Sequence, residues 1–468
     1  MIDNSNICAI ATTPGTGAIA VVRVSGNDAF SIVDKIFVPS AKGKKVQEQA
    51  ANTVQFGAIA DGAIVIDEVL VTVFRAPRSF TGEDTVEISC HGSFYIQQEI
   101  IKLLLSSGCR LAQPGEFTQR AFMNGKMDLS QAEAVADLIA SQSEASRRVA
   151  LQQMRGGFSS ELASLRERLL WFISLIELEL DFSEEDVEFA NRSELTVLID
   201  ELVAHITNLT ASFSLGNAIK NGIPVAIVGH TNSGKSTLLN RLLGEERAIV
   251  SAVHGTTRDA IEDAVNIKGI IFRFIDTAGI RSTDDEIENL GIQITYSKIK
   301  QASVVLLMVD ITDSDHKICE AIANILENIN AERQCLLVIA NKTDLDNDES
   351  LAHRLAQLQL PVPKKDIITI SAKHNINIEQ LSSALFSMIN TQAIDSNETI
   401  ITNTRHYEAL QNALNALHRV KNGLATNLSG DFLSQDIREV LHFIGSITGE
   451  ISTDEILGNI FSRFCIGK

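Results

Sequence analysis

The sequence predicts a multidomain fold of mixed α/β and α class. It comprises an N-terminal α+β domain, a helical domain, and a doubly wound α/β domain inserted into the helical one. Length is the first observation behind this reading. At 468 residues the chain exceeds one ordinary domain, and about two to four are expected. The second is a change of apolar period along the chain, from short β-type runs to helical spacing, then to strict alternation of both. The third is the string Gly229-His230-Thr231-Asn232-Ser233-Gly234-Lys235-Ser236. It fits G-x-x-x-x-G-K-[ST] between an apolar run (Ile223 to Val228) and a helical one (Ser236 to Leu243).

The elements follow in order. Residues 1–122 carry β-type runs at Ala18–Val24, Glu68–Phe74 and Thr85–Cys90, with a helix over Ser93–Ser106, as a compact α+β domain does. Residues 123–219 read as helical, with apolar residues at helical spacing over Leu129–Met154, Glu161–Leu180 and Asn191–Leu215. Residues 220–388 alternate β-runs with helices. A polar linker, Thr391–Asn397, then opens a second helical part, 389–468, with helices over Arg405–Leu424 and Ser434–Phe443. Insertion explains the split helical material, because neither half is large enough to bury its own face. The alternative is two separate small helical domains.

Composition narrows the class. With 45% hydrophobic and 21% charged residues, the chain reads as a soluble globular protein. No apolar run approaches the ~18 residues a membrane span needs, so no membrane partner is expected. The N-terminus lacks a basic stretch followed by an apolar one, and the cysteines at 8, 90, 109, 319, 335 and 465 form no C-x-x-C pair. Both point to a cytoplasmic protein without disulfides or a zinc site. A net charge of −19 argues against general affinity for nucleic acid, though it leaves room for a local basic groove.

The phosphate-loop glycines let backbone amides wrap an anion. Lys235 reaches the β- and γ-phosphates, and the Ser236 hydroxyl ligates Mg²⁺. Further strings follow, each on a loop. Gly255-Thr256-Thr257-Arg258-Asp259 is placed for a first switch, where Thr257 is the Mg²⁺ ligand. Asp276-Thr277-Ala278-Gly279 follows the run Ile270–Ile275; its aspartate holds Mg²⁺ through water and the Gly279 amide meets the γ-phosphate. Asn341-Lys342-Thr343-Asp344 follows Leu336–Ala340, and Asp344 accepts hydrogens from guanine N1 and N2, an arrangement adenine does not offer. Ser371-Ala372-Lys373 follows Ile367–Ile370 and supports the base O6 with a backbone amide. Such loops lie at the carboxyl ends of strands, where open α/β sheets bind ligands. Together these strings read as a Ras-like GTPase domain binding GTP.

Ile280 stands after the DTAG string, where Ras-type GTPases carry a water-orienting glutamine. Isoleucine cannot orient water, so another group must: Arg258, Arg281, Glu286, Glu288 or a cation. The Asn232 side chain either holds a monovalent cation beside the phosphates or bonds only its own loop. Within Asp284-Asp285-Glu286-Ile287-Glu288 no carboxylate stands out on chemistry alone.

Beyond the nucleotide strings lie blocks that many GTPases lack. They are Pro77-Arg78-Ser79-Phe80-Thr81-Gly82-Glu83-Asp84, Gln113-Pro114-Gly115-Glu116-Phe117-Thr118-Gln119-Arg120-Ala121-Phe122, Lys126-Met127-Asp128-Leu129-Ser130-Gln131-Ala132-Glu133-Ala134, and the ending Cys465-Ile466-Gly467-Lys468. In these blocks, and in its domain order, the chain resembles the tRNA modification GTPase MnmE (TrmE) family over essentially its whole length. The resemblance implies a homodimer acting with an FAD-containing partner, MnmG (GidA), the FAD being on the partner only. The pair modifies the tRNA wobble uridine to the 5-aminomethyl or 5-carboxymethylaminomethyl form. A tetrahydrofolate derivative (5-formyl- or 5,10-methylene-tetrahydrofolate) is the one-carbon source, bound by a first domain that also mediates dimerisation.

Residue by residue, the resemblance implies GTP contacts at Asn232, Ser233, Gly234, Lys235, Ser236 and Thr237. A second set is Ser251, Ala252, Val253, His254, Gly255, Thr256 and Thr257. The remainder are Asp276, Thr277, Ala278, Gly279, Asn341, Lys342, Thr343, Asp344, Ser371, Ala372 and Lys373. K⁺ falls to Asn232, Ser251, Val253 and Thr256, and Mg²⁺ to Ser236 and Thr257. Glu288 matches the family's catalytic glutamate, which positions water through a bridge. Folate falls to Arg23, Glu83, Lys126 and Lys468, sensible chemistry for a glutamate tail and a pterin donor edge. Thr231 departs from the family, whose loop usually has proline there, which removes one fixed dihedral. Cys465 is either a candidate nucleophile or the commoner buried inert thiol, and His91 reads as structural. The competing reading is a ribosome-assembly or regulatory RNA-binding GTPase without modification chemistry.

Overall fold

A computed structural model describes residues 5–40, 44–181, 191–246, 263–275, 299–330, 334–345, 363, 366–388, 399–426, 428–451, 454–462 and 464–467. The chain divides into two compact units. One holds Met1–Ala136, Gln153–Asn191 and Ala425–Lys468; the other holds Asp137–Gln152 and Arg192–Leu424.

The first unit is built on a 7-stranded sheet. Its strands are β1 (Ile7–Ile10), β2 (Ile19–Ser25), β3 (Phe37–Pro39), β4 (Thr53–Asp61), β5 (Ile64–Phe74), β6 (Thr85–His91) and β7 (Arg110–Leu111). Their order is β3-β4-β5-β6-β2-β1-β7, antiparallel except where β1 meets β7. Period-2 alternation gives the sheet two unlike faces. Ala20, Val22 and Val24 of β2 join Val86, Ile88 and Cys90 of β6 in the core. Arg23 and Glu87, paired across the strands, lie on the opposite face. Helices α1 (Ala29–Val33) and α2 (Phe94–Ser107) cover the core face through Phe30, Ile32, Ile100 and Leu104. Helix α3 (Glu116–Met123) covers the other face at β1, packing Phe117 on Ile7 and Ala9.

Helices α4 (Leu129–Ala140), α5 (Glu144–Met154) and α6 (Gly157–Asp181) follow. Where the apolar spacing predicts one helix over Leu129–Met154, the structure has a break. The cause is a serine cap: Ser143 Oγ accepts from the Ser146 amide at 3.1 Å, starting α5 afresh.

In the second unit α7 (Arg192–Asn221) leads through Gly222 into β8 (Ile223–Gly229). The strands β9 (Asp263–Ile267), β10 (Ile270–Phe274), β11 (Val304–Asp310), β12 (Cys335–Asn341) and β13 (Ile367–Ile370) complete a 6-stranded sheet, ordered β13-β12-β11-β8-β10-β9. It is parallel but for β9, which pairs antiparallel with β10. Both faces are buried, so its strands are continuous apolar runs. In β11, Val304, Leu306 and Met308 enter one core, and Val305, Leu307 and Val309 the other. Helices α8 (Lys235–Glu246) and α10 (Ile378–Ser387) pack on the first core, and α9 (Asp315–Leu326) on the second. Ala145 and Val149 of α5 and Ile219 of α7 also enter the first core. Helix α11 (Thr404–Ala425) lies on α7, stacking Tyr407 on Phe213 at 4.4 Å between ring centres.

The chain then returns to the first unit. Helix α12 (Gly430–Thr448) pairs with α6 through Arg438 and Glu177 at 2.6 Å. Helix α13 (Asp454–Phe461) buries Leu457 and Phe461 against Leu129 and Ala132 of α4. Among the described residues no helix is long and apolar enough to cross a membrane. The layers are the mixed α/β and α architecture that the sequence predicts.

Candidate functional site

The carboxyl end of β8 is where the sheet's order reverses, with β10 on one side and β11 on the other. Ligands of doubly wound folds sit there. The loop leaving β8 is tight. A Cβ on Gly229 would lie 2.3 Å from the Met308 carbonyl, and one on Gly234 only 2.2 Å from Asn341 Nδ2. Gly234 also has φ +99° and Asn232 φ +61°, left-handed conformations that turn successive amides toward one side. Lys235 opens α8, and its Nζ donates to the carbonyls of Gly229 (2.9 Å) and His230 (2.7 Å), which holds the ammonium over the loop. Ser236 and Thr237 follow on the first turn of α8, and a helix N-terminus favours an anion. Among the described residues Ser233 Oγ is buried without a hydrogen-bond partner. A glycine cradle, a held lysine and an orphaned hydroxyl together fit a phosphate group.

Asn341, at the end of β12 and 3% exposed, ties the loops together. Its Nδ2 donates to Ser233 O at 2.8 Å, and its Oδ1 accepts from the Ala372 amide at 3.0 Å. Lys342, with φ +72°, pairs with Asp310 at the end of β11. Asp310 also accepts from the amide and hydroxyl of Thr312 (2.9 and 2.7 Å). Burial pushes its carboxyl up, but Lys342 and Thr312 outweigh that and hold it below its ordinary value. Asp344 Oδ1 accepts from Ser371 Oγ at 2.6 Å, and this hydrogen bond holds Asp344 below the usual carboxylate range. Thr343 is buried beside it, and Lys373 accepts at its carbonyl from Arg241 Nη2 at 3.1 Å. The structure thus brings together Asn232–Thr237, Asn341–Asp344 and Ser371–Lys373. Ser251, Ala252, Val253, His254, Gly255, Thr256, Thr257, Asp276, Thr277, Ala278, Gly279, Glu288 and Lys468 lie outside the described residues.

A second polar cluster lies in the first unit. Arg23 donates through Nε to Glu87 Oε1 (2.9 Å) and through Nη1 to the Gly467 carbonyl (3.3 Å), beside the rings of Phe80 and Phe117. Ser25, two residues on and so on the same face, donates to Glu83 Oε2 at 2.9 Å. Lys126 Nζ donates to Pro77 O at 2.9 Å, and Asn124 Nδ2 to Thr81 O at 2.7 Å, so the loop 75–84 is pinned to the end of α3. Arg23 and Glu83 therefore share a sheet face that the chain's last residues approach.

Sequence reasoning missed the group that organises this cluster. Arg120, 1% exposed, donates to both oxygens of Glu83 (3.1 and 3.0 Å), to Glu116 Oε1 (2.9 Å) and to the Ser5 carbonyl (2.9 Å). Glu116 also takes a bidentate pair from Arg110 (2.8 and 2.6 Å) and the Gln113 amide (2.9 Å). Burial raises the Glu116 carboxyl, but these donors outweigh it and hold it low. Only the i,i+4 spacing of Glu116 and Arg120 is visible in the sequence. The exposed His91 contacts buried Asp67, which accepts from the His91 amide at 2.8 Å and meets its Nδ1 at 2.7 Å. Of the two readings of Cys465, the buried one fails: the residue is exposed, and its carbonyl accepts from the Gly115 amide.

A doubly wound sheet with this phosphate loop and a guanine-type loop pair defines a GTP hydrolase of the phosphate-loop class. The model of the MnmE helical domain matches residues 129–465, and that of the GTP-binding protein TrmE N-terminus matches residues 6–126. The chain belongs to the MnmE family. It is 56% identical over 469 residues to the tRNA modification GTPase MnmE of Bacteroides thetaiotaomicron, covering 100% of both chains. It is 54% identical over 469 residues to that of Flavobacterium johnsoniae, again covering 100% of both. Among solved structures, Era Y63A of Aquifex aeolicus bound to GDP and aluminium fluoride aligns with 41% of this chain and 65% of its own. The identity there is 27% and the TM-score 0.27.

Proposed function

We propose that the chain is a potassium-activated GTPase that acts with an FAD-containing partner of the MnmG (GidA) kind. Together they convert the tRNA wobble uridine to its 5-aminomethyl or 5-carboxymethylaminomethyl form, using a tetrahydrofolate one-carbon unit. The observation that carries the folate half is the meeting of Arg23 with the Gly467 carbonyl and of Ser25 with Glu83 on one sheet face. There Arg23 and Lys126, with Lys468, hold the glutamate tail, and Glu83 accepts from the pterin edge. Residues 1–122 form this folate-binding and dimerisation domain, and 220–388 a GTPase domain set between helical parts 123–219 and 389–468. The protein works as a cytoplasmic homodimer.

In the GTPase half the phosphate-loop amides and Lys235 hold the triphosphate, and Asp344 reads the guanine edge. Ser236 and Thr257 hold Mg²⁺, and Asn232, Ser251, Val253 and Thr256 hold K⁺. The two cations offset the charge that spreads over the γ-phosphate oxygens in the transition state. Glu288 positions the attacking water through a bridge, a task Ile280 cannot perform. Asn232 lies within the phosphate loop at φ +61°, and this position beside the phosphate cradle supports the cation reading.

GTP hydrolysis is expected to be at least about tenfold faster in potassium than in sodium, the size of one added transition-state charge contact. Equal rates in the two salts, measured by phosphate release, remove the cation from the mechanism. For the whole reading, mass spectrometry of tRNA from cells lacking the protein should show unmodified wobble uridine. An unchanged modification profile refutes it.

A further inference from the structure

The guanine end of the site holds a residue to which neither the motifs nor the proposed mechanism gives a role. His374 follows Ser371-Ala372-Lys373, and its Nε2 lies 3.5 Å from Asp344 Oδ2. The side chains are 51% and 21% exposed, so the imidazole stands at the solvent edge of a more sheltered carboxylate. The turn that carries it is fixed. Ser371 Oγ donates to Asp344 Oδ1 at 2.6 Å and accepts from the His374 amide at 3.3 Å, and Ser371 exchanges backbone hydrogen bonds with Ile376 at 3.2 and 3.1 Å. Ser371 thus engages one carboxylate oxygen and His374 stands against the other.

We infer that His374 sets guanine-nucleotide affinity by contesting Asp344 Oδ2 with the purine's amino edge. The inference rests on the reading of Asp344 as the guanine acceptor. To read N1–H and N2–H together, the carboxylate must turn both oxygens to the base. A neutral imidazole offers at most a neutral hydrogen bond to Oδ2. An imidazolium offers a charge-assisted one, which guanine must displace. Histidine side chains change charge between pH 5 and 8, so affinity falls as the pH falls through that window. Asp344 does not supply this dependence, because the Ser371 hydrogen bond keeps its carboxyl below the usual range and therefore ionised throughout. The other charged groups about the turn, among the described residues, are Lys373 beside His374, Arg241 on the Lys373 carbonyl, and the Lys342–Asp310 pair. Lysine and arginine keep their charge across this window, and Asp310 is itself held below the ordinary carboxylate value.

The test is titration of the full chain with a fluorescent GDP analogue at pH 8 and pH 5.5. The nucleotide's own phosphates titrate in this range, so the measure is the difference between proteins. Wild type should weaken about two- to fivefold more than His374→Gln on acidification, the strength of a half-exposed ion pair. His374→Lys, permanently charged, should bind weakly at both pH values. If His374→Gln tracks wild type at each pH, or His374→Lys binds like His374→Gln, the inference is overturned. Asp344→Asn separates the two readings: if it keeps full preference for GDP over xanthosine diphosphate, Asp344 is not the guanine acceptor. If it loses that preference while the His374 variants stay unmoved, only the His374 inference fails.

Discussion

Asn341→Ala is expected to weaken GDP and GTP binding by about thirty- to several-hundredfold. The side chain makes two hydrogen bonds in a nearly closed environment, one to the Ser233 carbonyl and one from the Ala372 amide. Truncation leaves both backbone groups without that partner, at about 2–4 kcal/mol together, and each 1.4 kcal/mol is tenfold in binding. The loss falls on pre-organisation. Asn341 joins the phosphate loop to the Ser371–Lys373 loop, so its removal lets the phosphate and base ends of the site move more independently. Guanine preference should survive in the residual binding, because Ser371 still orients Asp344. Titration with GDP and xanthosine diphosphate checks both points. A loss below about threefold refutes the clasp, and a lost preference moves base reading from Asp344 to Asn341.

That clasp also shows where sequence reading reached and where it stopped. The strings at Gly229–Ser236, Asn341–Asp344 and Ser371–Lys373 are legible because each is contiguous and follows a strand whose continuous apolar run is unmistakable. From them the class of ligand and the doubly wound sheet both follow. The side chain that binds these strings into one site acts across 108 and 31 residues, and no local period encodes such a partner. His374 is similar: beside Lys373 it is one polar loop residue among several, and only the fold sets it against Asp344. The break at Ser143 escaped for the opposite reason. Its signal is a local serine cap, overridden in the reading by apolar spacing that continues on both sides. In the first unit, Arg23, Glu83 and Lys126 were assigned through family likeness alone, since isolated charges on strands and loops carry no spacing that names a ligand.

Arg120 is the extreme of this kind, and its replacement carries the second large effect. Arg120→Met is expected to destabilise the first unit by about 3–5 kcal/mol, the cost of removing one partner from a buried ion network. Methionine fills much of the volume, so the loss is mainly electrostatic. Glu116, 6% exposed, keeps Arg110 and the Gln113 amide, whereas Glu83 is left with Ser25 and its own loop. The strands these groups join should open more often. Amide hydrogen exchange in β2 and β6 should therefore accelerate by about two to four orders of magnitude. The pH dependence carries a definite sign. In wild type the Glu116 carboxyl is held below its ordinary value. Its contribution is complete above the unfolded value of about 4.3 and is lost as the pH falls through the lower folded one. With Arg120 gone that value rises, so the variant should begin to open at a higher pH than wild type. Unchanged exchange in β2 and β6 sinks the network as a stabilising element. The double replacement Arg120→Met with Glu83→Gln separates charge from packing: if the uncompensated carboxylate is the cause, it recovers part of the loss, and if lost packing is the cause, it recovers none.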